Sequence, residues 1–419
     1  MKIAIKRWQG LNWLLIGWIL SIFLVLINYQ RWFIVILSYL VAYFVLSGLN
    51  KNINLILSFT KKHKLLHIYF GILIVSSIYN AYDLNSAFIG ILRVFTMYSL
   101  VLFGYLIASK STESSYMLKG ILIAIIISLF FGIYQGVVGY NPLGGISDIV
   151  TQSVTRISSW YAHPIPCSCF FIVGVVLGNM LIDNLFFKVL LLMGMIYGIV
   201  LTQSRSAWLI LIILFIVALV YNLVSGKFKR YISRKKMLYL LFICLLIGLI
   251  FVVMYGKISE LYLVIMDRLF SKSTSEDMSY TWRLMAIRLF TSNASFLDLH
   301  TYFGHGYNSA SNLLANSVIS SKFTYNVATT DNAYISIFYD FGIFGFIGFA
   351  WIVFYSIKNI FKQRNVKRQY PYYITLVIML FSFFFDAPYW ISVGFLFASF
   401  YGIGVSFNEY EKTQNKGDD

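Results

Sequence analysis

The chain has 419 residues, of which 59% are hydrophobic and 12% are charged, and its net charge at pH 7 is +17. Soluble domains carry roughly 25% charged residues, so this composition excludes an ordinary soluble protein. A basic excess can indicate nucleic-acid binding, but the densest basic run, KFKRYISRKK, lies between two apolar segments, where membrane topology accounts for it. The composition therefore predicts an integral membrane protein and argues against a nucleic-acid partner.

Twelve apolar segments in the chain approach the roughly 20 residues that a helix needs to cross a bilayer. A helix satisfies its own backbone hydrogen bonds, which lipid cannot do. The predicted spans are 11–28, 32–49, 65–80, 88–108, 117–139, 166–182, 186–202, 206–224, 237–256, 331–356, 371–386 and 389–407. The sequence therefore predicts an all-α polytopic integral membrane protein with about 12 transmembrane helices.

The distribution of Lys and Arg predicts the sidedness of these spans, because cytoplasmic loops hold the excess. Most of the 33 Lys and Arg residues fall on one side when the N-terminus is placed in the cytoplasm. No small-residue cleavage site follows a short apolar core, so the first helix is predicted to be retained. The predicted units are helices 1 to 9 over 1–256, one large external loop over 257–330, helices 10 to 12 over 331–407, and a cytoplasmic tail over 408–419.

The three cysteines give no metal or disulfide pattern. Cys167 and Cys169 are two positions apart on a predicted helix and Cys244 lies inside another, with no His at metal-ligand spacing. We therefore expect thiols buried in the membrane.

Arg205 stands in the short polar turn LTQSRS between two predicted spans, on the external side. A guanidinium at this depth offers a fork of donors that matches phosphate oxygens. A simpler alternative is an Arg whose head reaches the lipid headgroups. The Thr, Gln and Ser neighbours add donors and favour a phosphate site.

Arg283 lies in the segment 278–290, MSYTWRLMAIRLF, within the large loop. Trp282, Met285, Ala286 and Leu289 recur at helical spacing, which predicts an amphipathic helix lying on the membrane surface with its arginines at headgroup level. Such a helix either anchors the loop or contributes to a site.

Downstream, Asp331 stands at the entry to the tenth predicted span, where a carboxylate can cap the helix or act as a general base. His305, between two glycines in YFGHGYN, and His300 are alternative bases. No DxD, DDxxD or His/Asp cluster is apparent in the external segments. We therefore expect arginines, rather than a metal ion, to neutralise any bound diphosphate.

Four stretches in this order resemble the O-antigen ligase and Wzy-type polysaccharide polymerase superfamily. They are RISSWYAHP at 156–164, LTQSRSA at 201–207, Arg283 followed by Gly304-His305-Gly306, and DNAY at 331–334 continuing into DFGIFG at 340–345. Each motif is degenerate, and their order around one long external loop carries the resemblance across most of the chain.

The resemblance implies a GT-C-like, inverting glycosyltransferase in the bacterial cytoplasmic membrane, with both termini in the cytoplasm and no cofactor. Its substrates would be undecaprenyl-diphosphate-linked glycans, as donor and acceptor, at the outer face. A chain-length regulator, a flippase and membrane lipid would be its partners.

The resemblance also implies roles for individual residues. Arg205 and Arg283 would hold the donor diphosphate, and Arg156 a second diphosphate or the acceptor glycan. Weaker glycan contacts would come from three residues near these motifs, Asn332, Tyr334 and Tyr307. Ligases carry a His where this chain has Asp331, which favours a polymerase with Asp331 or His305 as the base.

Three other interpretations stay open. An O-antigen ligase would transfer the glycan to a different acceptor. A lipid-linked oligosaccharide flippase or other transporter would show two related halves, which are not apparent here. A receptor would bind glycan through external Tyr, Trp and Asn residues without catalysis. Asp340, with Gly342 and Gly345, is predicted to serve helix packing, and Asp386 to be structural.

Overall fold

The computed structural model of the protein describes residues 56–79, 84–108, 111–139, 150–151, 154–161, 163–224, 284–290, 298–316, 330–363, 365 and 368–415. Its main helices are α1 (Lys64–Tyr79), α2 (Leu84–Ala108), α3 (Ser111–Val138), α4 (Pro164–Leu181), α5 (Leu185–Leu201), α6 (Arg205–Val224), α7 (Leu299–Phe303), α8 (Ser309–Ala315), α9 (Ala333–Lys362), α10 (Tyr370–Phe381) and α11 (Ile391–Asn415). Single 3₁₀ turns lie at Ser159–Tyr161 and Ala387–Tyr389.

The predicted all-α fold needs one small correction. Val150–Thr151 (β1) pairs antiparallel with Val154–Thr155 (β2), so a short hairpin precedes α4. The other secondary structure in the described ranges is helical.

Each of the nine predicted spans that fall in the described residues is a helix. The predicted spans 11–28, 32–49 and 237–256 lie outside them. Four helical stretches are long and apolar enough to cross a bilayer, by length and composition: Leu84–Ala108, Met117–Val138, Pro164–Leu181 and Ala333–Lys362. These stretches are consistent with a membrane protein.

The main helices alternate in direction between two ends of the bundle. α1 starts beside His63, whose ring contacts Glu409, and reaches Ser76, whose hydroxyl donates to the Phe303 carbonyl at 2.5 Å. α2 runs in the opposite direction. It leads from Arg93, which donates to the carbonyl of Tyr389, to Tyr105, whose hydroxyl donates to Glu409 at 3.0 Å. We call the end that contains residues 156–163, 201–206, 302–310, 330–334 and 382–390 the motif end, and the end with Lys62, His63 and Glu409 the opposite end.

Close backbone contact joins α2 to α11, which run in the same direction. A Cβ on Gly104 would overlap the carbonyl of Ser399, and one on Gly402 would overlap the carbonyl of Val101. Small residues allow helices to approach in this way in membrane proteins, where dispersion contacts rather than the hydrophobic effect hold helices together. This pair forms the central support of the described bundle.

α9 is broken, whereas a continuous span was predicted over 331–356. Gly342 has φ 68° and ψ −166°, which no helix residue adopts. The break leaves carbonyls just before it without their helical partners, and these become acceptors for other segments. The expected role of Gly342 in plain helix packing is therefore wrong: it interrupts the helix at the motif end.

Candidate functional site

Arg156 lies against the turn that leads into Arg205. Its Nε donates to the carbonyl of Thr202 at 2.9 Å, and the backbone N–H of Ile157 donates to the carbonyl of Leu201 at 3.2 Å. These bonds place the first two motif segments side by side. Two residues assigned to phosphate binding thus lie in adjoining segments, although 49 positions apart in the sequence.

The turn itself is fixed by its own polar side chains. The Thr202 hydroxyl donates to the carbonyl of Ile199 at 2.6 Å, and the hydroxyls of Ser204 and Ser206 lie 3.0 Å apart. Thr202, Gln203 and Ser204 are buried, whereas the side chain of Arg205, the first residue of α6, is exposed. The buried neighbours therefore fix the backbone of the turn, and the side chain of Arg205 is accessible from outside the protein.

Hydrogen bonds to α3 fix the segment that carries Arg156. The side-chain carbonyl of Gln135 accepts from the backbone N–H groups of Ser158 and Ser159, at 3.1 and 2.8 Å. The Ser159 hydroxyl donates to the carbonyl of Ser128 at 2.8 Å. All of these groups are buried, so one amide side chain fixes the course of the segment next to Arg156.

His163 joins this segment to the turn between α10 and α11. It caps α4, its Nδ1 accepting from the N–H of Ile165 at 3.2 Å, and its ring stacks on Phe385 at 5.5 Å and contacts Trp390 at 5.7 Å. Burial, and secondarily the charge of Arg156, lowers the pKa of His163 to about 3. The ring is therefore neutral at pH 7. Sequence reasoning assigned it no role, although a His before Pro is a recognisable helix start.

Asn332, not Asp331, caps α9. The Asn332 side chain accepts from the N–H groups of Tyr334 and Ile335, at 3.1 and 3.3 Å. The capping alternative for Asp331 is thus wrong, because the adjacent residue occupies the cap. Asp331 itself has φ 52° and is half-buried. Asp331 is therefore not the helix cap, and the side-chain oxygen of Asn332 is used in capping.

Asp386 anchors the chain on the N-terminal side of Asp331. Its carboxylate accepts from the N–H of Thr330 at 3.1 Å, the Thr330 hydroxyl at 2.9 Å and the Ser336 hydroxyl at 2.8 Å. Burial, with a smaller contribution from the charge of Asp331, raises the pKa of Asp386 to about 6 against the effect of these bonds. The Asp331 carboxylate is thus close enough to affect the ionisation of Asp386.

The loop that carries His305 docks on the break in α9. The N–H groups of His305 and Gly306 donate to the carbonyls of Tyr339 and Asp340, both at 2.9 Å. The Asp340 carboxylate accepts from the N–H groups of Asn308 and Ala310, each at 2.8 Å. The prediction that Asp340 serves helix packing is therefore incomplete, because its carboxylate holds this loop.

Glycines allow the two backbones to meet. A Cβ on Gly304 would overlap the carbonyl of Asp340, and one on Gly342 would overlap the backbone of Tyr302. Both glycines also have positive φ. The motifs GHG and DFG therefore form one contact, which explains why they were found together in the same order as the other motifs.

Tyr307 and Tyr334, predicted to contact glycan, have buried rings. Tyr307 stacks on Tyr389 at 5.7 Å, and Tyr334 stacks on Phe383 at 4.2 Å and donates its hydroxyl to the carbonyl of Met379 at 3.1 Å. Each side chain is only 8% exposed. Their geometry argues against contact with a sugar and for a supporting role.

His305 is not positioned with Asp331. Its ring stacks on Tyr339 at 4.1 Å. Tyr339 is six residues beyond Ala333, the first residue of α9, which corresponds to about 9 Å along the helix at 1.5 Å per residue, and Asp331 precedes that helix. Burial lowers the pKa of His305, so its ring is neutral at pH 7. The two candidate bases thus occupy different levels of the motif end.

His305 also belongs to a cluster that the sequence did not reveal. One potential metal ligand of each of Asp298, His300 and His305 lies within 4.8 Å of the other two. The expectation that the external segments lack a His/Asp cluster is therefore wrong. The fold of α7 and the turn at Gly304 bring His305 back onto the start of the same short helix.

Arg283 and the first part of its predicted amphipathic helix lie outside the described residues. Residues 284–290 are helical. Ala286 and Phe290 pack in one cluster with Ala310 and Leu314. This face of the helix is therefore covered by protein, whereas the whole apolar face was expected to lie on the membrane.

Backbone strain marks all four motif segments. In the described ranges, the residues other than glycine that have positive φ are Ser159, Gln203, Asn308 and Asp331, with values from 51° to 65°. Such conformations each cost of order 1–3 kcal/mol and concentrate at functional sites. The surrounding hydrogen bonds hold one strained residue in every segment that the sequence singled out.

The region that matches a known family contains three of these four strained residues, Gln203, Asn308 and Asp331. Residues 190–350 match the Wzy_C family model, described as O-antigen ligase. This match supports the O-antigen ligase and polymerase superfamily and does not separate a polymerase from a ligase. Members of that family are glycosyltransferase-like enzymes. No curated protein matches the chain significantly.

Proposed function

We propose that the protein polymerises undecaprenyl-diphosphate-linked oligosaccharide repeat units into a surface polysaccharide, at the outer face of the bacterial cytoplasmic membrane. The observation that carries this proposal is the chain of contacts at the motif end. It runs from the turn of Arg205 through Arg156 and His163 to the Asp386 corner that anchors the residues around Asp331.

In this proposal the arginines stabilise the leaving group. Arg205 and Arg283 hold the donor diphosphate, and Arg156, whose Nε donates to the carbonyl of Thr202 in the turn before Arg205, binds next to them. Preorganised donors of this kind act most strongly on charge that grows in the transition state. The clamp needs no metal at the diphosphate.

The chemical step is an inverting displacement. A hydroxyl oxygen of the acceptor repeat unit attacks the anomeric carbon of the donor glycan, and the bond from that carbon to the diphosphate oxygen breaks. The electron pair stays with the lipid diphosphate, and Asp331 takes the hydroxyl proton. Asp331 suits this role because its carboxylate is half-buried and is not used as the helix cap.

Purified protein in detergent, supplied with lipid-linked repeat unit from the source membranes and a chelator, tests the proposal. Wild type should give a ladder of longer glycans. Arg205→Ala should reduce the rate by about a hundredfold or more, as loss of a preorganised transition-state donor does. Asp331→Asn should lower it by a similar factor, about that of a lost general base.

Matched controls lie at the opposite end of the bundle. Lys358→Ala removes an exposed cation and Asp183→Asn makes the same change as Asp331→Asn at an exposed site, and both should retain the full rate. Full activity in Arg205→Ala, or an equal loss in the controls, would contradict the clamp.

The second candidate is an O-antigen ligase, the activity that the description of the matched family names. A ligase would release glycan only to a different acceptor and would form no ladder from repeat units alone. Adding lipid A–core acceptor to the same reaction separates the two functions. A single transferred product without the ladder would establish the ligase.

A further inference from the structure

Asp298, His300 and His305 form a compact group beside the break in α9, separate from the chain of contacts that joins Arg205 to Asp331. The carboxylate of Asp298 lies 2.8 Å from Nδ1 of His300, and the two imidazole rings are 4.8 Å apart and nearly parallel, at 20°. The Asp298 and His300 side chains are 41% and 44% exposed, so solutes can reach them.

The surroundings fix the orientation of the His305 ring. Its Nδ1 lies 3.2 Å from the carbonyl of Tyr339, and a carbonyl can only accept, so the proton sits on Nδ1. The lone pair is then on Nε2. A backbone carbonyl that receives the second ring N–H is the usual support of a metal-bound histidine.

His300 and Asp298 are in direct contact. Asp298 Oδ1 lies 2.8 Å from Nδ1 of His300 and accepts from the backbone N–H of His300 at 2.9 Å. A metal ion can take the place of the proton between Oδ1 and Nδ1, so these two atoms would bind the ion side by side, with Nε2 of His305 as the third ligand. Within the described part of the chain, Nε2 of His305 has no hydrogen-bond partner.

We propose that Asp298, His300 and His305 bind a Zn²⁺ ion. Two imidazole nitrogens and one carboxylate oxygen form a ligand set that zinc takes, whereas Ca²⁺ and Mg²⁺ prefer oxygen alone. Ligand atoms at about 2.0–2.2 Å from zinc lie about 3.5 Å from one another in a tetrahedron. The present group lies within 4.8 Å, so rotation of the exposed Asp298 and His300 side chains closes it.

The bound ion would connect the start of α7 to the turn that follows it. Asp298 and His300 stand at the start of this short helix, whereas His305 follows Gly304 and docks on Tyr339. The ion would therefore stabilise the loop on the α9 break. It does not activate the diphosphate, and zinc binding can be measured whether or not the proposed glycosyl transfer is correct.

Zinc binding to the full chain tests this assignment. The protein should carry an affinity tag without histidine, be stripped with chelator in detergent, and be dialysed against micromolar Zn²⁺. We expect one equivalent of zinc per chain and a higher Tm with zinc than without, since a ligand that binds the folded state stabilises it. Co²⁺ in place of zinc should give the visible absorption of a site with nitrogen and oxygen ligands.

Two variants each remove one ligand, and a third variant serves as a control. His300→Gln and His305→Gln should each weaken zinc binding by at least about tenfold, a loss comparable to that seen even for indirect partners of a metal. His63→Gln removes an imidazole at the opposite end, whose side chain is 25% exposed, and should bind zinc as wild type does.

The chain has five histidines, so adventitious binding is a defined alternative. No zinc bound at micromolar concentration overturns the proposal, and so does equal zinc binding by wild type and His300→Gln. Asp298→Asn covers the case in which the His305 variant fails to fold, because it leaves both rings and the docking of the loop in place. It should also weaken binding, and unchanged affinity would count against the site.

Discussion

Carboxylates at the two ends of the molecule are satisfied by different partners. At the motif end, Asp340 accepts from two backbone N–H groups and the Tyr389 hydroxyl, and Asp386 from one N–H group and two hydroxyls. At the opposite end, Glu409 contacts Lys62 at 2.8 Å and the ring of His63 at 2.5 Å. Carboxylates at the motif end hold backbone, and the carboxylate at the opposite end holds side chains.

The difference follows from the shape that each end must keep. The motif end has strained residues in four of its five segments, and a carboxylate that accepts from two N–H groups fixes such a backbone directly. The opposite end joins helix termini, where charge pairs add modest stability.

The largest expected effect comes from the glycine at the break in α9. Gly342→Ala places a Cβ on the backbone of Tyr302 at a positive φ, and we expect a loss of several kcal/mol and a detached loop. Gly71→Ala is the matched control, because nothing lies within 4 Å of its Cβ and alanine favours a helix by up to about 1 kcal/mol.

Thermal unfolding in detergent and limited proteolysis measure both variants. Gly342→Ala should unfold at lower temperature and be cut within 302–310, whereas Gly71→Ala should unfold at the same temperature or above. Equal behaviour of the two variants would mean that the crossing of 302–304 with the break carries no stability.

The next largest effect is expected from loss of the Asp340 carboxylate, which fixes backbone N–H groups of the loop. Asp340→Ala leaves the N–H groups of Asn308 and Ala310 and the Tyr389 hydroxyl without their acceptor. Unsatisfied buried groups cost about 1–3 kcal/mol each, although relaxation of the loop recovers part of this. Tm should fall well below that of Asp183→Asn, an exposed control. A stable, protease-resistant Asp340→Ala protein would remove the distinction between the two ends.

Much of the helical architecture was accessible from the sequence, because apolar length is a strong signal for a membrane helix. Several predicted ends differ from the structure, above all that of the twelfth helix, which was predicted at 407, whereas α11 continues to Asn415. The predicted ends of the tenth helix at 356 and the eleventh at 386 also differ. α9 continues to Lys362 and α10 already stops at Phe381. Hydropathy marks what a bilayer tolerates and does not mark the helix caps that end each element.

The site was less accessible, since its decisive contacts join segments far apart in the chain. The order of the motifs identified Arg205, Arg156 and Asp331, and the structure brings their segments to one end. It could not show that Asn332 takes the cap or that the rings of Tyr307 and Tyr334 are buried. Those facts depend on tertiary packing, which a single sequence does not encode in any local pattern.

A third effect is a dependence of stability on pH that arises from His163 at the motif end. Burial, with the charge of Arg156, lowers the pKa of His163 from 6.5 to about 3. Above pH 6.5 the ring is neutral folded and unfolded, so its contribution is complete. Below that pH the unfolded chain binds the proton first, and stability falls by about 1.4 kcal/mol per pH unit until the folded ring titrates.

Tm measured from pH 7 to pH 4 in wild type and His163→Gln checks this expectation. The variant keeps a side-chain acceptor near the α4 cap but has no titrating group, so its curve should be flatter. Asp386 acts in the opposite sense, because a raised carboxyl pKa loses stability as the pH rises toward about 6. Curves of equal slope would show that His163 is not buried in the neutral form.

The smallest effect is expected at the opposite end. Glu409→Gln removes a partner of Lys62, whose side chain is 51% exposed, and of His63. Exposed ion pairs contribute about 1 kcal/mol or less and are screened by salt. The Tm difference between wild type and Glu409→Gln should therefore be small at low salt and smaller at high salt. The lower Tm of Asp340→Ala should persist at high salt, because the Asp340 carboxylate accepts from two backbone N–H groups and a hydroxyl. A salt-insensitive loss in Glu409→Gln as large as that of Asp340→Ala would mean that the Tyr105 hydroxyl bond and burial, rather than charge, dominate at this end as well.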